Sequence, residues 1–175
     1  MTTTNFTKGP RNHPINLIVI HTAECQELPG TAKRIAAWFK GTTKPDASAH
    51  WVIDSKDTVP VIDVADIAWH SGQWDTNVRS LGYELAGAAS QTVKDWADPY
   101  SLLVLDNAAK KAAIDCKTYN IPVVYLTPAK LAKGGAGIAG HADVSKAFNI
   151  NGGHVDPGTN FPWVAFIALV KKYSK

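Results

Sequence analysis

Asn16-Leu17-Ile18-Val19-Ile20-His21 is the stretch whose reading decides the fold. Four consecutive aliphatic residues, three of them β-branched, leave no polar side to face water. The segment therefore predicts a strand over 16–21 that is buried on both faces, as in the parallel sheets of α/β proteins. Such a strand requires cover above and below. The run stops at an imidazole, and in open α/β sheets functional groups gather where the strands end. His21 is thus a candidate site residue; the plain alternative is a core histidine with both nitrogens satisfied.

Outward from this strand, Pro29-Gly30-Thr31 opens a helix predicted through about Lys40. Ala32, Ile35, Ala36 and Phe39 share one of its faces, and Gly41 is placed to end it. Residues 49–53 and 58–62 read as a hairpin around Ser55-Lys56-Asp57. Residues 67–70 read as a short strand end and 81–86 as a further strand. Ser101 is placed to cap a longer helix striped by Leu105, Ala109, Ala112, Cys116 and Tyr119. Residues 130–140 read as a glycine-rich connection into His141. A last helix is expected after Asn160, with Pro162 in its first turn and Lys171 and Lys172 near its negative end. Its inward residues are Trp163, Phe166, Ile167 and Val170. Residues 1–15, polar and carrying Gly9-Pro10 and His13-Pro14, read as an extended lead-in. Strands alternate with helices, but one strand pair is a hairpin. The expectation is one α/β domain over 1–175, with a central mixed β-sheet flanked by helices.

Composition narrows the function classes. Of 175 residues, 45% are hydrophobic and 19% charged, ordinary values for a globular protein. A net charge of +3 with no run of Lys or Arg argues against nucleic acid as a partner. Cys25 and Cys116 are far apart and read as free thiols. No apolar stretch is long enough to span a bilayer, so membrane insertion is not expected. Met1-Thr2-Thr3-Thr4-Asn5 lacks the basic-then-apolar pattern of a secretory signal. A monomer is expected.

The residues able to do chemistry concentrate near the C-terminus. His141 lies in Gly140-His141-Ala142-Asp143, where Gly140 permits close backbone approach and Asp143 could orient a ring from behind. Gly152-Gly153-His154-Val155-Asp156-Pro157-Gly158 is a stiff loop in which His154 and Asp156, two apart, could point the same way. Imidazole and carboxylate are the usual ligands of a catalytic zinc, which takes three protein groups and keeps one place open. Glu84, inside Leu81-Gly82-Tyr83-Glu84-Leu85-Ala86-Gly87, is costly to bury unpartnered and could serve as a base; its alternative is a solvent-facing strand position. His50-Trp51 and Trp69-His70 each pair an imidazole with an indole, which suits the wall of a sugar or peptide groove, although core tryptophans explain the indoles as well.

Taken in order, these segments resemble the zinc-dependent N-acetylmuramoyl-L-alanine amidases of the type 2 amidase and peptidoglycan-recognition-protein superfamily. The likeness rests on His21-Thr22, Ser48-Ala49-His50-Trp51-Val52-Ile53-Asp54, Ala68-Trp69-His70-Ser71-Gly72, residues 80–87, Gly140-His141-Ala142-Asp143-Val144-Ser145, and Asp156-Pro157-Gly158-Thr159-Asn160-Phe161-Pro162-Trp163. The resemblance implies one zinc per chain held by His21, His141 and Asp156, with Glu84 as general base. It implies that a protonated His154 stabilises the oxyanion, at a position where relatives often carry lysine; a histidine there also competes with Asp156 as ligand. Ala49 stands where another branch has a catalytic tyrosine, which leaves the base role to Glu84. His50, Trp51, Trp69 and His70 would line the muropeptide groove, with Asp143 in support. The implied activity is cleavage of the amide between N-acetylmuramic acid and L-alanine in peptidoglycan, as a phage endolysin made in the host cytoplasm and released by a holin. The other readings are a cytoplasmic wall-recycling amidase, a non-catalytic peptidoglycan-binding module, and a zinc peptidase cutting within the stem peptide.

Overall fold

The aliphatic run forms a strand, Leu17–Thr22, buried at every position. The structure is a computed structural model that describes residues 5–41, 46–150 and 152–175. In chain order its elements are β1 (Phe6–Thr7), β2 (Leu17–Thr22), α1 (Thr31–Phe39), β3 (Trp51–Ile53), β4 (Thr58–Pro60), β5 (Ile67–Ala68), α2 (Trp74–Asn77), β6 (Ser80–Leu85), α3 (Pro99–Tyr119), α4 (Pro128–Leu131), β7 (Gly137–Gly140), α5 (His141–Ala147) and α6 (Trp163–Tyr173), with a 3₁₀ turn at Asp95–Ala97.

The main sheet has the order β4-β3-β6-β2-β7. β2 runs parallel to both β6 and β7, β3 runs parallel to β6, and only the edge strand β4 is antiparallel. The mixed sheet expected from the hairpin is therefore observed. Side chains alternate across it. Ile18, Ile20, Leu81, Tyr83, Leu85 and Ile53 join Val104, Leu105, Ala108 and Ala112 of α3 and Phe166 and Val170 of α6 in the larger core. Leu17 and Val19 face the other way, onto Leu131 and Val144 of α4 and α5. Ala32, Ala36 and Phe39 of α1 cover the same side of the sheet over Val52. The result is three layers, with α3 and α6 below the sheet and α1, α4 and α5 above it.

Several boundaries differ from expectation. Residues 130–140 are not merely a connection: they end α4 and then form β7, whose Gly137-Ile138-Ala139-Gly140 pairs with Leu17 to Ile20. The long helix is capped by Asp98 rather than Ser101. Asp98 Oδ1 accepts from the Ser101 N–H at 2.8 Å, Pro99 occupies the first turn, and the Ser101 hydroxyl instead donates to Glu27. The lead-in is tied down. Phe6 and Thr7 pair antiparallel with Ala68 and Ile67. Arg11 donates to the carbonyls of Val64, Asn77 and Val78, and residues 1–4 of that expectation lie outside the described residues. Both cysteines are free, and among the described residues no helix is long and apolar enough to cross a membrane.

Asp98→Ala should cost about 1 kcal/mol through loss of the helix cap, lowering Tm by roughly 2–4 °C in a chain of this size. Asp98→Asn should recover most of it. Thermal melts followed by circular dichroism check this; an unchanged Tm in the alanine variant would overturn the capping assignment.

Candidate metal centre and active site

Three parallel strands run out at one level. Ile20 pairs with Gly140 and His21 with Glu84. His141, the residue after Gly140, therefore comes level with His21 on one flank while Glu84 lies level on the other. Alternation sends all three side chains to the upper face, in line with Leu17 and Val19. His141 is also the first residue of α5, so β7 passes into the helix without a loop. That junction demands glycine at 140, where a Cβ would sit 2.7 Å from Pro157 Cδ and 3.1 Å from Trp163 Cζ2.

Asp156 reaches the same place from the loop before α6. Its carbonyl accepts from the Ala142 N–H at 2.8 Å, which fastens the loop to the start of α5. Gly158, at φ +94, lets the chain lie against Ala89, whose oxygen would be 2.0 Å from any Cβ.

The three side chains meet. His21 Nδ1 lies 3.1 Å from His141 Nδ1 and 3.2 Å from Asp156 Oδ2, and His141 Nδ1 lies 3.3 Å from Asp156 Oδ1. All three residues are buried. A tetrahedral zinc holds N and O ligands at about 2.0–2.2 Å, which sets the edges between ligand atoms at about 3.3–3.6 Å. The observed separations of 3.1, 3.2 and 3.3 Å lie at or just under the lower end of that range. Three electron-pair donors facing one another away from water are also poor company without a cation, since each contact can share at most one proton. The donor set, two imidazoles and a carboxylate, suits zinc.

Charge states agree with this use. Burial opposes ionisation of Asp156, but hydrogen bonds from His141 and His21 outweigh it and hold the carboxyl well below its usual range. Burial, then the proximity of His21, lowers His141. Both shifts favour the deprotonated forms that a metal requires. Glu84 moves oppositely: burial, then the Asp156 carboxylate, pushes it up to about 8. A divalent cation beside it would pull that value down.

His154 does not join the ligand atoms. Its ring stacks on His141 with centroids 4.0 Å apart, and its Nδ1 lies 3.5 Å from Asp156 Oδ1. With the side chain 65% exposed, it stands at the solvent lip of the site. Burial and the neighbouring His141 lower its pKa. Both influences work against the protonated form that the resemblance implied.

His21, Glu84, His141, His154, Asp156, Trp69 and His70 line one cleft of about 670 Å³. Three other expected residues lie elsewhere. His50 is fully buried under the cleft floor, with Nδ1 accepting from the Gly82 N–H at 2.9 Å and Nε2 lying 2.7 Å from the Arg11 guanidinium. Trp51, its neighbour on the strand, points to the opposite face, where Lys111 lies 4.0 Å above its ring. Successive side chains of a strand point to opposite faces of the sheet, so these two part company. Asp143 touches no imidazole: Oδ2 accepts from the Gly140 N–H at 2.9 Å and Oδ1 from the Tyr125 hydroxyl at 2.8 Å, so it fixes the start of α5.

Sequence reading missed the cleft residues Glu24, Arg34 and Trp38. Arg34 and Trp38 stand one turn apart on α1, off its buried stripe, and Trp38 is 51% exposed. An indole on the polar side of an amphipathic helix was the available signal.

A family model described as N-acetylmuramoyl-L-alanine amidase matches residues 11–159. No curated protein matches the chain. Among solved structures, a selenomethionine derivative of AmpD is 21% identical, covers 97% of this chain and 92% of its own, and superposes with a TM-score of 0.68. The Staphylococcus aureus hydrolase AmiA, solved in complex with its ligand, is 17% identical over 96% of this chain and 78% of its own, with a TM-score of 0.66. The PlyG catalytic domain gives 19% identity, 96% and 87% coverage, and a TM-score of 0.64. At these identities the likeness establishes the fold.

If the three ligands are assigned correctly, His21→Ala and Asp156→Ala should each abolish stoichiometric zinc binding, while His154→Ala should retain it. Competition against a chromophoric chelator checks this. Loss of zinc in the His154 variant with retention in the Asp156 variant would exchange the two roles.

Proposed function

We propose that this chain, which belongs to the N-acetylmuramoyl-L-alanine amidase family, cleaves the lactyl amide of peptidoglycan with one zinc ion held by His21, His141 and Asp156. The observation that carries this reading is the convergence of three ligand atoms, 3.1–3.3 Å apart, beside Glu84 at the ends of β7, β2 and β6.

Zinc in this position supplies Lewis acidity, lowering the pKa of water toward about 7 and polarising a carbonyl. Glu84 takes the proton as the water oxygen bonds to the carbonyl carbon. His154, at the lip, donates to the carbonyl oxygen as negative charge develops, an effect commonly worth about 3 kcal/mol for a well-placed donor. Glu84 then passes its proton to the alanine nitrogen while the C–N bond breaks, leaving a carboxylic acid on the muramic side and a free amine on the peptide. A base that must also return the proton works best near the operating pH, and at Glu84 burial raises the pKa while a neighbouring cation would lower it.

The cleft walls complement such a substrate. Trp69 and Trp38 offer flat faces for a sugar or an alkyl stem, and Arg34 and Glu24 can pair with charged groups of the peptide. His70 lies in the same wall, but its two nitrogens are engaged within the protein. We further propose that residues 1–175 form one catalytic unit acting as a monomer. Its place is that of a phage lysin, made in the host cytoplasm and released through a holin lesion, supported by the likeness of Gly152-Gly153-His154-Val155-Asp156-Pro157-Gly158 to lysin sequences.

Glu84→Ala should keep its zinc and lose turnover by about 10²–10⁴-fold, the usual contribution of a positioned acid–base; full activity would sink the mechanism. His154→Ala should lose about 10²-fold in kcat, the low end for an oxyanion donor.

Intact sacculi incubated with the enzyme should release stem peptides with a free N-terminal alanine, read by mass spectrometry. Cleavage between amino acids would indicate a peptidase, activity confined to soluble anhydromuropeptides would indicate recycling, and zinc and wall binding without any product would indicate a binding module.

A further inference from the structure

A second set of hydrogen bonds lies behind the His21 ring, on the side turned from His141 and Asp156. His21 Nε2 is 3.1 Å from His70 Nδ1, and His70 Nε2 is 2.9 Å from Ser80 Oγ. The two rings meet edge to face at 90°, with centroids 5.2 Å apart. His21, His70 and Ser80 are all buried, at 2%, 6% and 0% exposure. Ser80 opens β6 on the same face as Gly82 and Glu84, two and four residues further on. Gly82 makes room for the imidazole: a Cβ there would lie 2.6 Å from His70 Cγ. The backbone on either side of the ring is also fixed, since the N–H groups of His70 and Ser71 point at Asn77 Oδ1, at 3.4 and 3.0 Å.

We propose that His70 is a positioning residue that engages Nε2 of His21 in either tautomer, so that Nδ1 is the nitrogen presented to the metal. This rests on the reading of His21 as a ligand through Nδ1. A neutral imidazole carries one N–H and one lone pair. With Nδ1 of His21 given to a cation, its proton sits on Nε2 and donates to His70 Nδ1. The proton of His70 then sits on Nε2 and donates to Ser80 Oγ. The chain thus has a single consistent direction in the loaded state. The reverse direction is equally complete without metal: Ser80 donates to His70 Nε2, His70 Nδ1–H donates to His21 Nε2, and His21 Nδ1–H faces Asp156 Oδ2 at 3.2 Å. That second arrangement places a proton where the metal would bind. Loading the site therefore reverses the whole chain, and the buried serine hydroxyl can serve either direction because it rotates between donor and acceptor. Ligating histidines ordinarily give their other N–H to a carboxylate or carbonyl, which enforces one tautomer. A neutral histidine in that place permits both, so metal release leaves no buried group unpaired along this chain.

The test uses His70→Phe, which keeps ring volume without an acceptor, His70→Asn, whose amide oxygen can still accept near the Nδ1 position, and Ser80→Ala. Zinc affinity by chelator competition is read beside the Tm of the metal-free protein and the absorption spectrum of the cobalt-substituted protein. His70→Phe should weaken zinc binding about 10–100-fold, the usual effect of losing a ligand's supporting partner, with an altered cobalt spectrum. His70→Asn should restore most of the affinity, and Ser80→Ala should lose less than His70→Phe. A merely structural role would lower Tm and leave the affinity of the folded protein unchanged, which would overturn the inference. So would equal losses in the Phe and Asn variants. In the unmodified zinc-loaded protein, nitrogen-15 NMR should find His21 and His70 both protonated on Nε2; a His70 protonated on Nδ1 would overturn the proposal without any variant. His21→Ala separates the two levels. Retained zinc in that variant would refute the ligand reading, whereas lost zinc together with wild-type affinity in His70→Phe would refute this inference alone.

Discussion

The site depends on three electron-pair donors held face to face where water cannot separate them. His21 comes from the end of β2, His141 from the start of α5, and Asp156 from a loop pinned to Ala142. Hydrogen bonds from the two imidazoles to Asp156 offset part of the cost of burying the carboxylate, but they cannot satisfy all three lone pairs at once. The scaffold must supply the remainder. It does so with a strand buried on both faces, two parallel neighbours in fixed register, and glycines at 140 and 158 where any Cβ would collide. A cation binding only to this arrangement would add its binding free energy to the stability of the fold. Because the ligands are 120 and 135 residues apart along the chain, it would join β2 to the loop before α6.

The central strand was legible because its signal is local: four aliphatic residues in a row have few other uses. The hairpin and the two long helices were legible for the same reason. β7 was not, because Gly137-Ile138-Ala139-Gly140 has the composition of a loop and becomes a strand only by pairing with β2. The ligand set emerged from family resemblance; residue pattern alone left His21 and a core histidine equally served. His50 and Trp51 were misread together, although alternation sends their side chains to opposite faces of the sheet. Reading the period across that motif would have separated them. His70 was placed in the groove wall, and it does border the cleft. Its partners Ser80 and His21 are brought to it by the β2–β6 register, which no local pattern reveals.

In the proposed reaction, chemistry and recognition occupy different parts of the molecule. The reacting groups stand on the sheet and on α5, while Arg34 and Trp38 overhang the cleft from α1. What joins these parts is Asp54, fully buried in the β3–β4 turn. Its Oδ1 accepts from the N–H groups of Lys56 and Asp57, each at 2.7 Å, and its Oδ2 accepts from the Ala32 N–H at 2.9 Å. One carboxylate therefore closes the hairpin and anchors the positive end of α1 over it. Burial works against its ionisation, but the three amide bonds prevail and keep it charged below the ordinary carboxylate range. A helix fixed at its first turn can change the residues on its outward face without disturbing the sheet beneath. Among the described residues the side chains at 34 and 38 share no hydrogen-bonding partner with His21, His141 or Asp156, so under the proposed function their effects on substrate choice should add independently to changes at those three residues. On this architecture, the range of wall fragments accepted can drift through α1 while the centre of the reaction stays fixed.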